Sequence, residues 1–153
     1  MKKIIFVTVG TGAFDELVRA VDEIATGLDS SVVIQIGAGK YEPKNCEFFR
    51  FHPGLEEWFG KAWLVLSHGG AGTTYSLLKK GVKMVGVANC DRIDFHQQEI
   101  LKVLSEKNFL IWCKDLKNLK ECVEKAKDFD FAKYEQPNCK IAEKVVEFLE
   151  EGF

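Results

Sequence analysis

Apolar and polar positions along this chain switch between two periods, one of strands and one of helices. Ile4-Ile-Phe-Val-Thr-Val9 is a near-continuous β-branched run, the pattern of a strand covered on both faces, and it stops at Gly10-Thr11-Gly12. Phe14, Leu17, Val18, Val21 and Ile24 then repeat at helical spacing, with Asp15 and Glu16 in the favourable first turn and Gly27 as the stop. Further strands are predicted over 31–36, 46–51, 63–67, 82–87 and 109–113, with a loop over 37–45. Helices are predicted over 53–60, over 73–80 with Gly81 closing it, and over 94–106. Leu116, Leu119, Cys122, Val123 and Ala126 mark another helix behind an Asp115 cap. Beyond an irregular tether over 128–137, an amphipathic helix over about 138–150 sets Ile141, Ala142, Val145, Val146 and Leu149 on one side.

Strands that alternate with helices imply an α/β fold, because parallel neighbours need crossovers: a Rossmann-like open parallel sheet with helices on both faces. The 153 residues suit one domain spanning 1–153, and a chain of that length buries roughly two-thirds of its unfolded surface. No repeat or low-complexity segment interrupts it.

A net charge of −2 gives no general attraction to nucleic acid or anionic lipid, and Lys79-Lys80 reads as a solvated helix face. The five cysteines, at 46, 90, 113, 122 and 139, are scattered, without a Cys-x-x-Cys pair or a histidine at zinc-finger spacing. They suit a reduced, cytoplasmic protein. The apolar run after Lys3 is too short for a signal peptide, and no run approaches the ~18 residues that span a bilayer. A membrane role is therefore expected only through a partner or surface contact.

Candidate chemistry concentrates at two glycine turns. In Trp63-Leu-Val-Leu-Ser-His-Gly-Gly-Ala-Gly-Thr-Thr-Tyr-Ser a buried strand runs into a glycine-dense turn that opens a helix, the arrangement of a phosphate cradle. Gly69, Gly70 and Gly72 can take positive φ and let the backbone approach a ligand closely, and Thr73 and Thr74 are expected to add hydroxyl donors where the helix begins. Since ligands of open α/β sheets bind at the carboxyl ends of strands, this turn and Gly10-Thr11-Gly12 are expected to share one crevice. A tight connection with no ligand remains the alternative for each. Neither turn is a dinucleotide fingerprint, because Asp15 and Tyr75 stand where a third glycine belongs, and Gly37-Ala-Gly-Lys40 lacks P-loop spacing. His68-Gly69-Gly70 is similar to an esterase oxyanion loop, yet no Gly-x-Ser-x-Gly elbow supplies a nucleophile.

Asp94-Phe-His-Gln-Gln-Glu99 falls on the same rim and offers polar groups to a sugar, although Asp94 with Gln97 also fits a capping box. Phe48, Phe49, Phe51, Trp58 and Phe59 read as packing, or as a protein interface where exposed.

Phe6-Val-Thr-Val-Gly-Thr11 with Phe14-Asp15, Ser67-His-Gly-Gly-Ala-Gly72 and Asp94-x-His96-Gln97-x-Glu99 occur in order, and with them the chain resembles the C-terminal half of GT-B glycosyltransferases of family 28. It is similar above all to the family's small separate-chain form. That form includes the catalytic subunit of the eukaryotic two-part transferase adding the second GlcNAc to dolichol-linked sugar, and bacterial two-protein enzymes of capsule and exopolysaccharide assembly. The resemblance implies that Gly10, Thr11, Gly12, His68, Gly69, Gly70, Ala71, Gly72 and Thr73 hold the diphosphate of a UDP-sugar. It implies further that Phe51 and His52 border the uracil and that Asp94, His96 and Gln97 meet the donor sugar. Ser76 stands where family members usually carry a ribose-binding glutamate, so a bidentate contact is lost.

By the same likeness the chemistry is inverting and metal-independent, with no cofactor and no metal site. No catalytic residue is assigned, since the general base is expected on a membrane-associated, acceptor-binding partner, with this chain peripheral at the cytoplasmic face. Homodimerisation of the isolated chain stays open. So does a non-catalytic nucleotide-binding or regulatory module; a sugar-nucleotide epimerase normally needs both GT-B halves in one chain.

Overall fold

In a computed structural model, which describes residues 2–89, 96–137 and 146, the strands assemble into one six-stranded sheet of order β3-β2-β1-β4-β5-β6. The strands are β1 (Lys3–Thr8), β2 (Ser30–Gln35), β3 (Glu47–Phe49), β4 (Ala62–His68), β5 (Met84–Val87) and β6 (Ile111–Trp112). Every pairing is parallel. The helices are α1 (Asp15–Ala25), α2 (Leu55–Lys61), α3 (Ala71–Lys79), α4 (His96–Glu106) and α5 (Leu119–Asp128), the last preceded by a 3-10 turn over Leu116–Asn118.

Period-two alternation on each strand feeds two cores. Ile5, Val7, Ile34, Leu64 and Leu66 pack under α1 and α5, through Leu17, Val18, Val21, Leu119 and Val123. Phe6, Val33, Val65 and Met84 face the other way, onto Phe59 of α2, Leu77 and Leu78 of α3, and Leu101 and Leu104 of α4. Both faces being covered explains why the strand runs are almost wholly apolar.

Local signals end the helices where expected. Past α3, Gly81 N–H donates to Leu78 O at 3.0 Å and Val82 N–H to Leu77 O at 3.1 Å, the paired bonds of a Schellman motif. The Asp115 carboxylate caps the 3-10 turn by accepting Lys117 N–H at 2.9 Å. The strand at 82–87 begins two residues later than expected, at Met84, because that motif consumes Val82.

The chain lays β1, β2 and β3 outward in one direction, then returns to place β4 on the other side of β1. The direction of winding thus reverses between β1 and β4, where crevices of this fold class open. Thr8 pairs with Ser67 across that boundary, so the turns following β1 and β4 leave the sheet side by side. The expected C-terminal helix over 138–150 lies outside the described residues, apart from Val146.

Candidate functional site

The turn after β1 is fixed from inside the sheet. Thr8, fully buried, donates its hydroxyl to Gln35 Oε1 at 2.6 Å and accepts Gly10 N–H at 3.1 Å. Gly10 adopts φ +70, a conformation that side chains resist. Gly37, at φ +56, presses on the same turn from the loop after β2: a Cβ there would overlap the Gly12 carbonyl oxygen. Ala38 N–H completes the contact, donating to Gly12 O at 2.9 Å.

The turn after β4 meets it. A Cβ on Gly10 would lie 3.1 Å from His68 Cε1, and one on Gly70 would lie 2.6 Å from His68 Nε2, so the imidazole occupies space that both glycines vacate. Ser67 Oγ lies 3.5 Å from His68 Nδ1, and Gly70 N–H turns back onto the His68 carbonyl. Gly10, Gly12, His68 and Gly70 are thereby brought together, with exposed Thr11 beside them and Ala71, Gly72 and Thr73 forming the first turn of α3.

The two helix starts differ in their electrostatics. Neither Phe14 nor Gly70, the N-cap residues of α1 and α3, makes a side-chain cap bond. The first turn of α1 already holds Asp15 and Glu16, and the Asp15 carboxylate accepts Lys40 N–H at 3.1 Å. The first turn of α3 carries no acidic residue. Leading N–H groups and helix dipole therefore favour an anion at α3, with the β1 turn as the adjoining wall.

Several expectations need correction. Gly69, Gly70 and Gly72 do not use the positive φ open to them; among the described glycines that conformation falls to Gly10, Gly37 and Gly81. Gly69 is small for packing, since a Cβ there would sit 2.8 Å from Leu101 Cγ; that side chain also fills the hollow at Gly86 and seats α4 on the sheet. Gly72 is different: a Cβ would meet nothing within 4 Å, so no protein neighbour requires glycine there. Thr74 is fully buried, its Oγ1 without a hydrogen-bond partner, and cannot donate to a ligand at the helix start. Phe48 and Phe51 are exposed rather than packed, whereas Phe49 and Trp58 stack around buried Phe6.

The remaining expected residues lie around this centre. Ser76 is partly buried on α3, one turn beyond Gly72 and Thr73 on the same face. Phe51, 59% exposed, follows β3, and the adjoining Arg50 carbonyl accepts Gly37 N–H at 3.1 Å, which ties that segment to the β1 turn. His52 is accounted for structurally: Nδ1 accepts Gly54 N–H at 3.0 Å and the ring packs on Phe49 and Trp58. His96 opens α4 with its side chain exposed, Nδ1 lying 3.7 Å from Glu99 Oε2. Gln97 is only 7% exposed and its Oε1 accepts Asn89 N–H at 2.9 Å. Asp94 lies outside the described residues. Sequence reading missed Asn89, whose Nδ2 donates to Ala13 O at 3.2 Å and joins the loop after β5 to the turn after β1. No local pattern signals a contact between residues so far apart in the chain.

The sequence matches the family described as glycosyltransferase family 28 C-terminal domain over residues 4–151. The chain belongs to that family. It is 34% identical over 124 residues to the UDP-N-acetylglucosamine transferase subunit ALG13 of Homo sapiens, an alignment covering 72% of this chain and 11% of the relative. The Mus musculus protein of the same name is 36% identical over 121 residues, covering 71% of this chain and 10% of the relative. The chain thus spans about a tenth of the length of these curated relatives. Among solved structures, MurG of Acinetobacter baumannii superposes with a TM-score of 0.73 at 16% identity, covering 99% of this chain and 50% of that one. The solution structure of ALG13 superposes at 0.64 with 20% identity, covering 97% of this chain and 98% of that one. These two likenesses show the fold: this family 28 domain is a Rossmann-like sheet of the GT-B kind.

Proposed function

We propose that this chain is the donor-binding subunit of a two-component glycosyltransferase, taking a UDP-sugar at the β1/β4 switch point. The observation that carries it is the start of α3: uncapped by any side chain, free of acidic residues, and open at Gly72, directly beside the Gly10 turn. That supports a diphosphate on the N–H groups of Ala71, Gly72 and Thr73, with the ribose toward Ser76 and the base toward Phe51. His96 and Gln97 would approach the sugar from α4.

Transfer breaks the C1–O bond while negative charge grows on the departing diphosphate. A helix N-terminus aimed there lowers the barrier without reorganising. An inverting, metal-independent displacement also needs a base for the acceptor hydroxyl. We assign that base, together with a lipid-linked acceptor, to a membrane-associated partner that brings this chain to the cytoplasmic face. One finding supports a partner: the human and mouse relatives are named as subunits. Among the described residues no helix is long and apolar enough to cross a membrane.

Titration calorimetry of the chain with UDP, UDP-GlcNAc, UDP-glucose and UDP-galactose tests the reading. Weak binding of UDP and at least one sugar nucleotide is expected, with transfer only after the partner is added. No heat with any of the four overturns it. Affinity for UDP without transfer in the reconstituted pair would instead identify a non-catalytic nucleotide-binding module.

A further inference from the structure

Positive charge gathers at the end of the sheet opposite the glycine turns. Lys3 opens β1, Trp63 lies near the start of β4, and Lys83 immediately precedes β5, its carbonyl accepting Val65 N–H at 2.9 Å. Strand alternation puts Lys3 on the side of Ile5 and Val7, and Lys83 on the side of Val85, the face that α5 covers. Trp63 packs against that same core. Together with Lys2, Asp29, Ser30 and Lys127 of α5 these residues line a hollow of about 690 Å³. The six residues of β1 separate it from the turn beyond Thr8 by roughly 16 Å, too far for one diphosphate to reach both. We propose that this hollow is a second anion site, taking a compact phosphate-class anion of two or more charges.

The charges in the hollow are unbalanced. Among the described residues Lys2, Lys3 and Lys83 have no ion-pair partner, while Lys127 is held by Glu124 at 2.6 Å and reaches Asp29 at 4.0 Å. Asp29 is the only carboxylate among the described lining residues, and its side chain is 98% exposed. The whole chain carries a net charge of −2, so this is a local excess that composition conceals. Like charges drawn together work against folding unless an anion offsets them.

The walls suit such an anion. The Trp63 indole is fixed by donating its Nε1–H to Ser30 Oγ at 3.1 Å, and the Lys83 ammonium sits 5.7 Å from the centre of the Phe131 ring. Apolar walls focus the field of neighbouring charges into the space between them. Lysine meets phosphate oxygens as a point charge and demands no planar fork, so ammonium groups from separate elements can share one phosphate. A monocarboxylate would offset a single lysine, whereas a phosphate dianion or a diphosphate offsets several. Soluble phosphate compounds and phospholipid headgroups share that chemistry.

Titration calorimetry of the full chain with pyrophosphate, at constant ionic strength set by potassium chloride, tests the site. Binding is expected, with affinity falling at least about tenfold in Lys3→Gln/Lys83→Gln and persisting in Gly72→Val. The pair Lys2→Gln/Lys3→Gln, which leaves Lys83 seated on Phe131, should move affinity the same way. Affinity for UDP should be unchanged in both lysine variants, which keeps this site's test apart from that of the donor site. Sedimentation with vesicles of phosphatidylcholine, alone or in equal parts with phosphatidic acid, distinguishes the source. Lysine-dependent pelleting with the mixed vesicles assigns a lipid headgroup; lysine-dependent pyrophosphate binding without pelleting assigns a soluble phosphate compound. No lysine-dependent binding in either arm overturns the proposal, as does pyrophosphate binding that Gly72→Val abolishes and the lysine variants leave intact.

Discussion

Thr8 and Gln35 share a 2.6 Å hydrogen bond between neighbouring strands, and the same Thr8 oxygen holds the Gly10 N–H at 3.1 Å. The conformation of the first glycine turn therefore depends on a polar link sealed inside the sheet. Thr8→Val strands the Gln35 carbonyl and the Gly10 N–H together, at a cost of about 1–3 kcal/mol in denaturant unfolding. Thr8→Ser should retain most of that stability. Calorimetry with UDP should rank the affinities wild type, serine, valine.

Substitutions at Gly72 separate stability from binding. A methyl at that position enters open space, and alanine suits a helix better than glycine, so Gly72→Ala should leave the fold intact or stabilise it by up to ~1 kcal/mol. Its UDP affinity should nevertheless fall, and Gly72→Val should abolish binding. Unchanged affinity in both variants would place the anion elsewhere. Gly70→Val should lose both properties, because its Cβ would lie 2.6 Å from His68 Nε2.

Asp22, 2% exposed in the middle of α1, organises the loop after β2: its carboxylate accepts Tyr41 OH at 2.7 Å, Asn45 N–H at 2.7 Å and Lys44 N–H at 3.0 Å. Burial pushes this carboxyl up, but the bonds from Lys44, Tyr41 and Asn45 outweigh it and hold the group below its ordinary value. A folded value below the unfolded one means that the stabilisation is complete above about pH 4 and is lost as pH falls through the folded value. Asp22→Asn should cost about 1–3 kcal/mol at neutral pH and flatten the acid limb of stability, measured by urea unfolding between pH 7 and 3.

Gln97 acts on the rim through Asn89. Gln97→Glu keeps an oxygen for the Asn89 N–H, whereas Gln97→Ala removes that acceptor and loosens the loop that Asn89 ties to Ala13. Amide exchange at Asn89 should accelerate in the alanine variant and stay near wild type in the glutamate variant.

Strands and helices were readable where burial on both faces or on one helical stripe dominates, as in Ile4–Val9 and the Leu17-Val18-Val21 face of α1. Boundaries moved where capping geometry intervened, as when the Schellman motif after α3 shortened β5. That the two glycine turns leave the sheet side by side was legible, but the reason for each glycine was not. Gly69 yields to Leu101, Gly10 to a backbone conformation, and Gly72 faces open space. Sequence spacing does not encode such long-range neighbours, nor Asn89 on Ala13.

Both margins of the sheet are abbreviated: β3 contributes three residues and β6 two. Neither edge presents a long ladder to a second chain, which guards an otherwise hydrophobic parallel sheet against edge-to-edge aggregation. Concentrated solutions of the folded chain should accordingly resist fibril formation, even though the central strands are rich in valine, isoleucine and leucine.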